Sequence, residues 1–286
     1  MAHVYASLAE FNDYLRDTGS TTFASESVLI SARKIANLEA VSRRIDEWCQ
    51  RSQFGSGFGP RIGTNRYDGA AGSCIRLADD LLSVTSLSLL ASTAGTSIGT
   101  PVADTDYFLR DGEGHYDHPP YREFVLHGKG TITTLGSGLR VNGITGKWGY
   151  QDVRVTSSAT TSEALVTSET GVDVSSGAAF SPGQTLLVDS EQMYVSSITT
   201  NTLTVVRAAN GTTAATHLTS AAIDVYQYPD EVHDDCLRLA LRRWKGRDAG
   251  ADGSDGGADV PGTVIREGED TILRRGLFHL AYRWVA

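Results

Sequence analysis

The sequence predicts an α+β protein: a small α-helical bundle with a β-hairpin and strand region, plus an inserted all-β module. Three observations support this fold class. Amphipathic helical patterns occur near both ends of the 286-residue chain. An Asn-Gly step flanked by apolar residues lies near its middle. The stretch between that step and the late helix consists of short strand-length runs separated by turn residues.

The predicted domain boundaries lie where the composition changes. Residues 1–154 and 229–286 form the predicted core, with helices, strands and a C-terminal tail, and residues 155–228 form the inserted module. The module has six acidic residues and one basic residue, so more than half of the chain's net charge of −9 lies there. This acidic balance argues against a protein that binds nucleic acid with its whole surface. It is compatible with a protein that lets DNA pass without holding it.

The N-terminal residues predict two helices. Ser7 and Glu10 have the spacing of a capping box, and apolar residues recur at helical spacing until Thr18. A second, longer helix starts near Ser25 or Ser27 and carries a broad apolar stripe. We interpret its opposite, charged face as solvated. That face comprises Arg33, Lys34, Glu39, Arg43, Arg44, Asp46 and Glu47.

Asn142 and Gly143 predict the turn of a β-hairpin. Further along, Trp148 and Tyr150 point to the same face of a strand, because side chains alternate. Two large aromatic residues on one face cover a good deal of apolar surface, which is typical of the core of a β-rich region.

A loop rich in Gly and Ser, residues 50–63, precedes the first predicted strand. Phe54 and Phe58 in this loop are either tethers to the core or contacts for a partner.

The sequence contains no common catalytic motif: no GxSxG, no P-loop, no HExxH and no GxGxxG that opens a helix. His115, Asp117 and His118 are possible metal ligands, but a fourth ligand is not evident, and we favour a solvated loop. We therefore expect no enzyme activity, no metal site and no cofactor.

The three cysteines, Cys49, Cys74 and Cys236, lie far apart and form no CxxC pair. This spacing favours folding in a reducing cytoplasm. We expect no secretory signal at the N-terminus and no membrane partner, since no basic region precedes an apolar one and no apolar run has the length of a bilayer.

The C-terminal region predicts two more helical segments. The segment from Pro229 has acidic residues in its first turn and basic residues in its last, as the helix dipole favours. A Gly-rich acidic linker, residues 250–262, separates it from the amphipathic segment 270–285. That last segment has an apolar face that can dock on its own domain or on another chain. The face comprises Leu273, Leu277, Leu280 and Trp284, with Phe278 beside it.

Together these segments resemble the head–tail adaptor (connector) proteins of long-tailed bacteriophages. The resemblance is carried by the first helix with YASLAEFNDYL, the second helix ending in RRIDEWCQR, a strand beginning near NRYDG, the motif ITGKWGY, and the late helix LRLALRRWKGRD. It covers the N-terminal helices, the strands to Val155 and the helix from Pro229. In the family the late helix closely follows the WGY strand, whereas here residues 155–228 intervene. That module is similar to a β-module that recurs in phage virion proteins.

The resemblance implies a structural protein of the virion neck, at the head–tail interface, that is made in the host cytoplasm. It implies a ring, commonly a dodecamer, that binds beneath the portal protein, extends the DNA channel and docks a stopper or tail-completion protein. Double-stranded DNA would pass through the lumen without specific binding. The C-terminal apolar face from Leu273 to Trp284 is then the expected portal contact. The expected subunit or neck interface comprises Phe54, Phe58, Trp148 and Tyr150.

Two other functions are compatible with the sequence. One is a different role in the same neck, as a tail-completion or stopper protein. The other is a glycan-binding or hydrolytic β-protein in which the module binds a glycan. Exposed aromatic residues would favour glycan binding, and the module has only Phe180, Tyr194, Tyr226 and Tyr228.

Overall fold

The part of the chain that the structure describes is mostly β, with 41% of those residues in strands and 23% in helices. The computed structural model describes residues 3–18, 28–51, 57–70, 72–92, 95, 97–99, 101–116 and 118–249. These residues form two antiparallel sheets and three helices. The expected fold class, a small helical bundle with a hairpin and an inserted module, is therefore wrong. The apolar stripes made the helices conspicuous, while strands rich in Ser, Thr and Gly gave a weaker pattern and were underestimated.

The chain forms two compact units. One is Phe54–Asp152, and the other combines Met1–Gln53 with Val153–Ala286. The helices thus group with the module of residues 155–228, not with the strands that precede it. The two segments predicted as one core, 1–154 and 229–286, contribute to both units.

The unit Phe54–Asp152 is built on an antiparallel sheet with the strand order β1-β6-β2-β5-β4, in which β3 pairs with β2 off this path. The strands are β1 (Arg61–Ala70), β2 (Cys74–Leu90), β3 (Ser97–Gly99), β4 (Tyr107–Arg110), β5 (Tyr121–Leu126) and β6 (Ser137–Trp148).

Strand β6 is continuous through Asn142 and Gly143, so the predicted hairpin turn at these residues is wrong. Asn142 pairs with Tyr67 of β1 on one side and with Leu89 of β2 on the other. A tight hairpin of the Asn-Gly type needs positive φ at both central residues. Here the backbone takes positive φ earlier in the strand, at Arg140 (55°), and Asn142 remains extended between two partner strands.

Trp148 lies at the centre of the core of this sheet. Its side chain is fully buried, and its indole Nε1–H donates a hydrogen bond to the carbonyl of Gly63 at 2.9 Å. Burial of a large aromatic ring with its polar atom satisfied contributes strongly to stability. The other buried members of this core are Ile75, Leu77, Leu81, Leu89, Tyr107, Phe124, Leu126, Ile132, Leu135 and Ile144.

The module folds as the small all-β unit that the sequence predicts. Its strands are β7 (Val153–Thr160), β8 (Gly171–Asp173), β9 (Thr185–Val188), β10 (Glu191–Thr199), β11 (Thr202–Val206) and β12 (Ala222–Gln227). They form an antiparallel sheet in the order β7-β12-β9-β10-β11-β8. The sheet closes on itself, because Thr161 bridges to Val174 and the Ser162 amide donates to the Asp173 carbonyl at 2.7 Å.

A buried ionic cluster holds one end of the module together. Glu191 accepts two hydrogen bonds from the Arg207 guanidinium, at 2.7 and 2.8 Å, and one from the amide of Ala215 at 2.9 Å. His217 Nε2 lies 3.0 Å from the same carboxylate. Burial alone would raise the pKa of Glu191, but the hydrogen bonds from Arg207, Ala215 and His217 hold it at about 2. Glu191 is therefore an anion that fixes the loop 207–217.

The helices are α1 (Leu8–Asp17), α2 (Val28–Trp48) and α3 (Asp230–Ala249). The capping box of α1 is confirmed: the Ser7 hydroxyl accepts from the Glu10 amide, and the Glu10 carboxylate accepts from the Ser7 amide. The interpretation of the charged face of α2 as solvated is wrong at two positions. Lys34 is buried with its Nζ 2.5 Å from Asn12 Oδ1, and buried Asp46 accepts from the Tyr5 hydroxyl.

We expect Trp148→Ala to lower the free energy of unfolding by about 3–5 kcal/mol, because it leaves a cavity and an unpaired Gly63 carbonyl. Urea unfolding followed by circular dichroism measures the change. Leu139→Ala, a truncation of a side chain on the same strand that is 70% exposed, is the matched control and should change the value by about 0.5 kcal/mol or less. Equal effects of the two substitutions would contradict the placement of Trp148 in the core.

We expect Arg207→Met to cost about 3–5 kcal/mol of stability, since it leaves the buried Glu191 carboxylate without its main partner. The comparison is Arg154→Met, which breaks a partly exposed ion pair with Asp224 at 3.6 Å and should cost about 1 kcal/mol or less. Thermal unfolding at neutral pH measures both. If Arg207→Met is as mild as the control, then the cluster is not a structural clamp.

Candidate interaction site

The residues expected at a subunit interface lie mostly in the interior. Trp148 and Phe58 are fully buried, and half-buried Tyr150 packs edge-on against Phe58 with ring centroids 5.7 Å apart. In this structure these three aromatic residues act as core, and their role in an interface stays a prediction. Phe54 and the expected portal contacts Leu273, Leu277, Phe278, Leu280 and Trp284 lie outside the described residues.

The three helices pack against one another through polar as well as apolar contacts. The side-chain amide of Asn37 on α2 donates to the Ala240 carbonyl of α3 at 2.9 Å. Phe11 of α1 meets Trp244 of α3 edge-to-face, with centroids 6.4 Å apart. Both contacts join segments that lie more than 200 residues apart in the sequence. They show that the N-terminal helices and the late helix form one layer.

The segment before α1 is fixed on this layer by Tyr5, which is buried. Its amide donates to the Ser42 hydroxyl at 3.1 Å, and its own hydroxyl donates to Asp46. Arg43 Nη1 lies 3.0 Å from the same carboxylate. Burial raises the pKa of Asp46 to about 6, although Arg43 and the Tyr5 hydroxyl act in the opposite direction.

A groove of about 220 Å³ lies between α2 and α3, and we call it the α2–α3 groove. Its floor is apolar, from Ala40, Val41 and Leu239, and its rim carries Arg43, Arg44, Glu47 and Arg243. Three guanidinium groups and one carboxylate around an apolar floor are suited to a ligand that presents both carboxylate or phosphate groups and apolar atoms.

The arginines of the groove differ in the contacts that their guanidinium groups make within the protein. Arg43 pairs with Asp46 and donates to the carbonyl of His3. Arg44 lies 3.7 Å from Glu47, a long contact between two exposed side chains. Arg243 is exposed, and none of the carboxylates in the described parts of the chain lies within ion-pair distance of it. Arg243 is therefore the rim group best placed to bind an anion.

A second concave site lies at the junction of α1, α3 and the module. This cavity of about 180 Å³ is lined by Ser7, Glu10, Gln184, Tyr226 and His233, among others. His233 Nε2 lies 3.4 Å from a Glu10 oxygen. The hydrogen bond to Glu10 raises the pKa of His233, whereas burial lowers it less. Burial would raise the pKa of Glu10, but His233 and Ser7 lower it to about 2.

Sequence reasoning missed the groove, although a signal was present. Arg43-Arg44 and Arg242-Arg243 are Arg-Arg steps on two amphipathic helices. The first step was interpreted as part of a solvated face, and the second as part of the basic end of a helix that its dipole favours. Only the pairing of α2 with α3 brings Arg44 and Arg243 to one groove.

Comparisons with known proteins do not assign a family to this chain: no family model, no curated protein and no solved structure matches it. Among the described residues, no helix is long and apolar enough to cross a membrane. Within the same ranges, no group of three or more His, Cys, Asp or Glu side chains is arranged to hold a metal ion. His115 of the sequence motif is exposed and lies 3.2 Å from Asp111, and Asp117 is outside the described residues.

The Glu10–His233 pair predicts a pH dependence of stability that His233→Gln should remove. Because the pKa of His233 is raised on folding, its contribution is complete below its ordinary value of 6.5 and is lost as pH rises through the folded value. The contribution of Glu10 is present above 4.5 and is lost as pH falls through about 2. In urea unfolding we expect the difference between wild type and His233→Gln to be largest at about pH 5–6 and to shrink by about pH 9.

The control for this measurement is His118→Gln, which changes an exposed histidine in a loop and should leave the pH profile unchanged. A stability difference between wild type and His233→Gln that stays constant from pH 5 to pH 9 would show that the pair does not couple protonation to folding.

Proposed function

We propose that the protein is a structural virion protein, a head-to-tail adaptor that forms a ring beneath the portal. The ring extends the DNA channel from the capsid and docks the next neck or tail protein. The chemistry of such a protein is assembly, and no catalytic residue is assigned. The proposal originates in the sequence resemblance to bacteriophage adaptors, and its support comes from where the resembling segments lie.

The observation that carries the proposal is that the two resembling helices, far apart in sequence, are neighbours in the fold. The helix that ends in RRIDEWCQR is α2, and the helix with LRLALRRWKGRD is α3. Asn37 and Ala240 join them at 2.9 Å, and the Ser42 hydroxyl lies 3.7 Å from the Cys236 thiol. This packing places the two resembling helices in one layer, as the adaptor proposal requires.

The two strand motifs of the resemblance are also partners. NRYDG lies on β1 and ITGKWGY begins on β6, and these strands pair antiparallel, with Asn65 opposite Ile144. The proposed adaptor therefore keeps a helical layer and a strand region that resemble the family, within a protein that is mostly β. The module of residues 155–228 is an addition to that arrangement.

The proposed partners are the portal protein, further copies of this chain in a ring, and a stopper or tail-completion protein. The resemblance implies a ring of twelve copies. DNA is a passing substrate, for which an acidic protein with a net charge of −9 offers little attraction. The virion neck is the proposed location.

A different neck role, as a tail-completion or stopper protein, is the second candidate, because the same segments would serve any ring of the neck. Glycan binding by the module is disfavoured by the structure. Phe180, Tyr194 and Tyr226 are buried, and half-buried Tyr228 packs against His3 and Tyr5, so these rings offer no open platform to a sugar. The Tyr194 hydroxyl donates a hydrogen bond to the Glu39 carboxylate of α2 at 2.7 Å.

The mass and symmetry of the purified full chain, alone and with portal-bearing capsids, test the proposal. We expect binding to the portal vertex and a closed ring there, with a mass near twelve times the 30.6 kDa of one chain if the family symmetry holds. Sedimentation velocity and electron microscopy of the complex measure both.

The candidate roles give different results in this experiment. An adaptor binds capsids that carry only the portal, whereas a stopper binds only after another neck protein has been added. A chain that remains at the mass of one copy and binds neither form of the capsid would contradict a role in the neck.

A further inference from the structure

The module has a sheet edge that its own strands leave open. Strand β7 stands at one end of the strand order and pairs on one side with β12. The closure of the module involves only the far end of β7, where the next residue, Thr161, bridges to Val174. Over residues 153–158, β12 is the one partner strand within the described part of the chain. Alternate residues of such an edge direct their backbone N–H and C=O groups away from the sheet, where a further strand can pair with them.

The side chains on this edge are apolar and exposed. Val153 is 51% exposed and Val155 is 57% exposed. Val155 lies opposite Val225, a member of the buried core of the module, and residues that face each other across two antiparallel strands share one side of the sheet. The two valines therefore continue the core side of the sheet to an uncovered end. Arg154 lies on the other side, with its guanidinium 6.0 Å from the centre of the Tyr226 ring.

An open edge with exposed valines is unusual, because edge strands are commonly protected by inward charges, by proline or by a covering segment. In residues 153–158 there is no proline, and the one charged residue, Arg154, is on the side away from the core. A fitting occupant is therefore a further strand that carries apolar side chains and covers the two valines.

One segment of this chain has the sequence of such a strand. Beyond α3, residues 263–267 (TVIRE) hold the one run of three β-branched residues in the tail, and a glycine lies on either side of the segment. β-Branched side chains favour extended backbone, and glycines commonly mark the ends of a strand. Because side chains alternate, such a strand has Ile265 on one side and Val264 on the other. In either orientation it offers an apolar residue to Val153 and Val155.

The chain is long enough to bring this segment to β7. Val153 pairs with Gln227, and α3 begins three residues after Gln227. The pair spans ~5 Å, the three residues span at most ~10 Å, and the 20 residues of α3 are ~30 Å long. The end of α3 is therefore at most about 45 Å from Val153, even if these steps lie in line. The fourteen residues from Ala249 to Thr263 reach ~46–50 Å.

Tethering favours this occupant over a second copy of the chain. A segment on a flexible linker has an effective concentration on the order of millimolar at a site within its reach. A second copy reaches that value only in a very concentrated solution. The linker, residues 250–262, is rich in glycine, which suits a chain that has to turn back toward the start of α3.

We infer that residues 263–267 add to the open edge of β7 in their own chain, as a further strand of the module, with Val264 or Ile265 beside Val153 and Val155. The inference does not depend on the adaptor role, since it concerns a contact within one chain. The added strand ends six residues before Leu273, so it holds the start of the apolar 273–284 face near the module.

Hydrogen exchange of the full-length chain, read by mass spectrometry on peptides that cover residues 153–158 and 263–267, tests the inference. We expect both sets of amides to exchange about tenfold more slowly in wild type than in Ile265→Pro, because proline cannot donate to a strand ladder. Truncation after Gly262 should speed the exchange of 153–158 by a similar factor. Val155→Lys, which places a charge on the edge, should speed the exchange of 263–267.

Two substitutions are matched controls. Val166→Lys changes another valine of the module that is 57% exposed and lies in the connection between β7 and β8. Ala258→Pro introduces a proline into the linker and not into the proposed strand. Both should leave the exchange of the two peptides as in wild type. Circular dichroism checks that each variant is folded. Should Val155→Lys unfold the module, Ile265→Pro, which alters none of the described residues, serves in its place.

Three results would overturn the inference. Fast exchange of 263–267 in wild type would show that the segment pairs with no strand. Slow exchange of 263–267 that persists in Val155→Lys, with the module folded, would place the segment elsewhere. Slow exchange of 153–158 that persists after truncation and increases with protein concentration would assign the edge to a second copy.

Discussion

The first turn of α1 is the point on which the arrangement of helices and module depends. A helix begins with four amides that have no partner within it. Here the Ser7 amide donates to Glu10 at 2.6 Å and the Glu10 amide to Ser7 Oγ at 3.3 Å. The amides of Leu8 and Ala9 donate to the loop at 181–182 of the module, each at 3.0 Å. Since an unpaired buried amide is costly, α1 is complete only when the module is in place, which explains why helices and module form one unit.

The same requirement, that buried polar groups find partners, fixes the rest of this unit. Asp46 is buried and is matched by Tyr5 and Arg43, which attaches the N-terminal segment to α2. Within the module, Glu191 and Arg207 play the equivalent role for the loop 207–217. Apolar burial supplies most of the stabilisation but is not directional. The buried ionic groups are directional, so they select one arrangement from the many that would bury a similar apolar area.

The sequence predicted well what depends on local patterns and poorly what depends on partners distant in sequence. The cap at Ser7 and the short strands of the module are local, and both are confirmed. The hairpin at Asn142 failed because β1 and β2 hold that residue in an extended strand from both sides. Lys34 appeared solvated because its partner Asn12 lies on another helix. The groove has the same origin: Arg44 and Arg243 are unremarkable on their own helices and become a site only when α2 and α3 pack together.

Charge is distributed unevenly along the chain, so the net acidity does not indicate which ligands a particular surface attracts. The module concentrates negative charge, while α3 carries Arg238, Arg242, Arg243, Lys245 and Arg247. At ionic strengths near 0.15 M, charges more than about 8 Å apart are largely screened from each other. A ligand at the helical layer therefore responds to the arginines near it and only weakly to the net charge of the chain. Net charge remains relevant to the long-range approach of DNA. Contacts of the helices with acidic groups depend instead on the guanidinium groups nearby and on the partners that those groups already have.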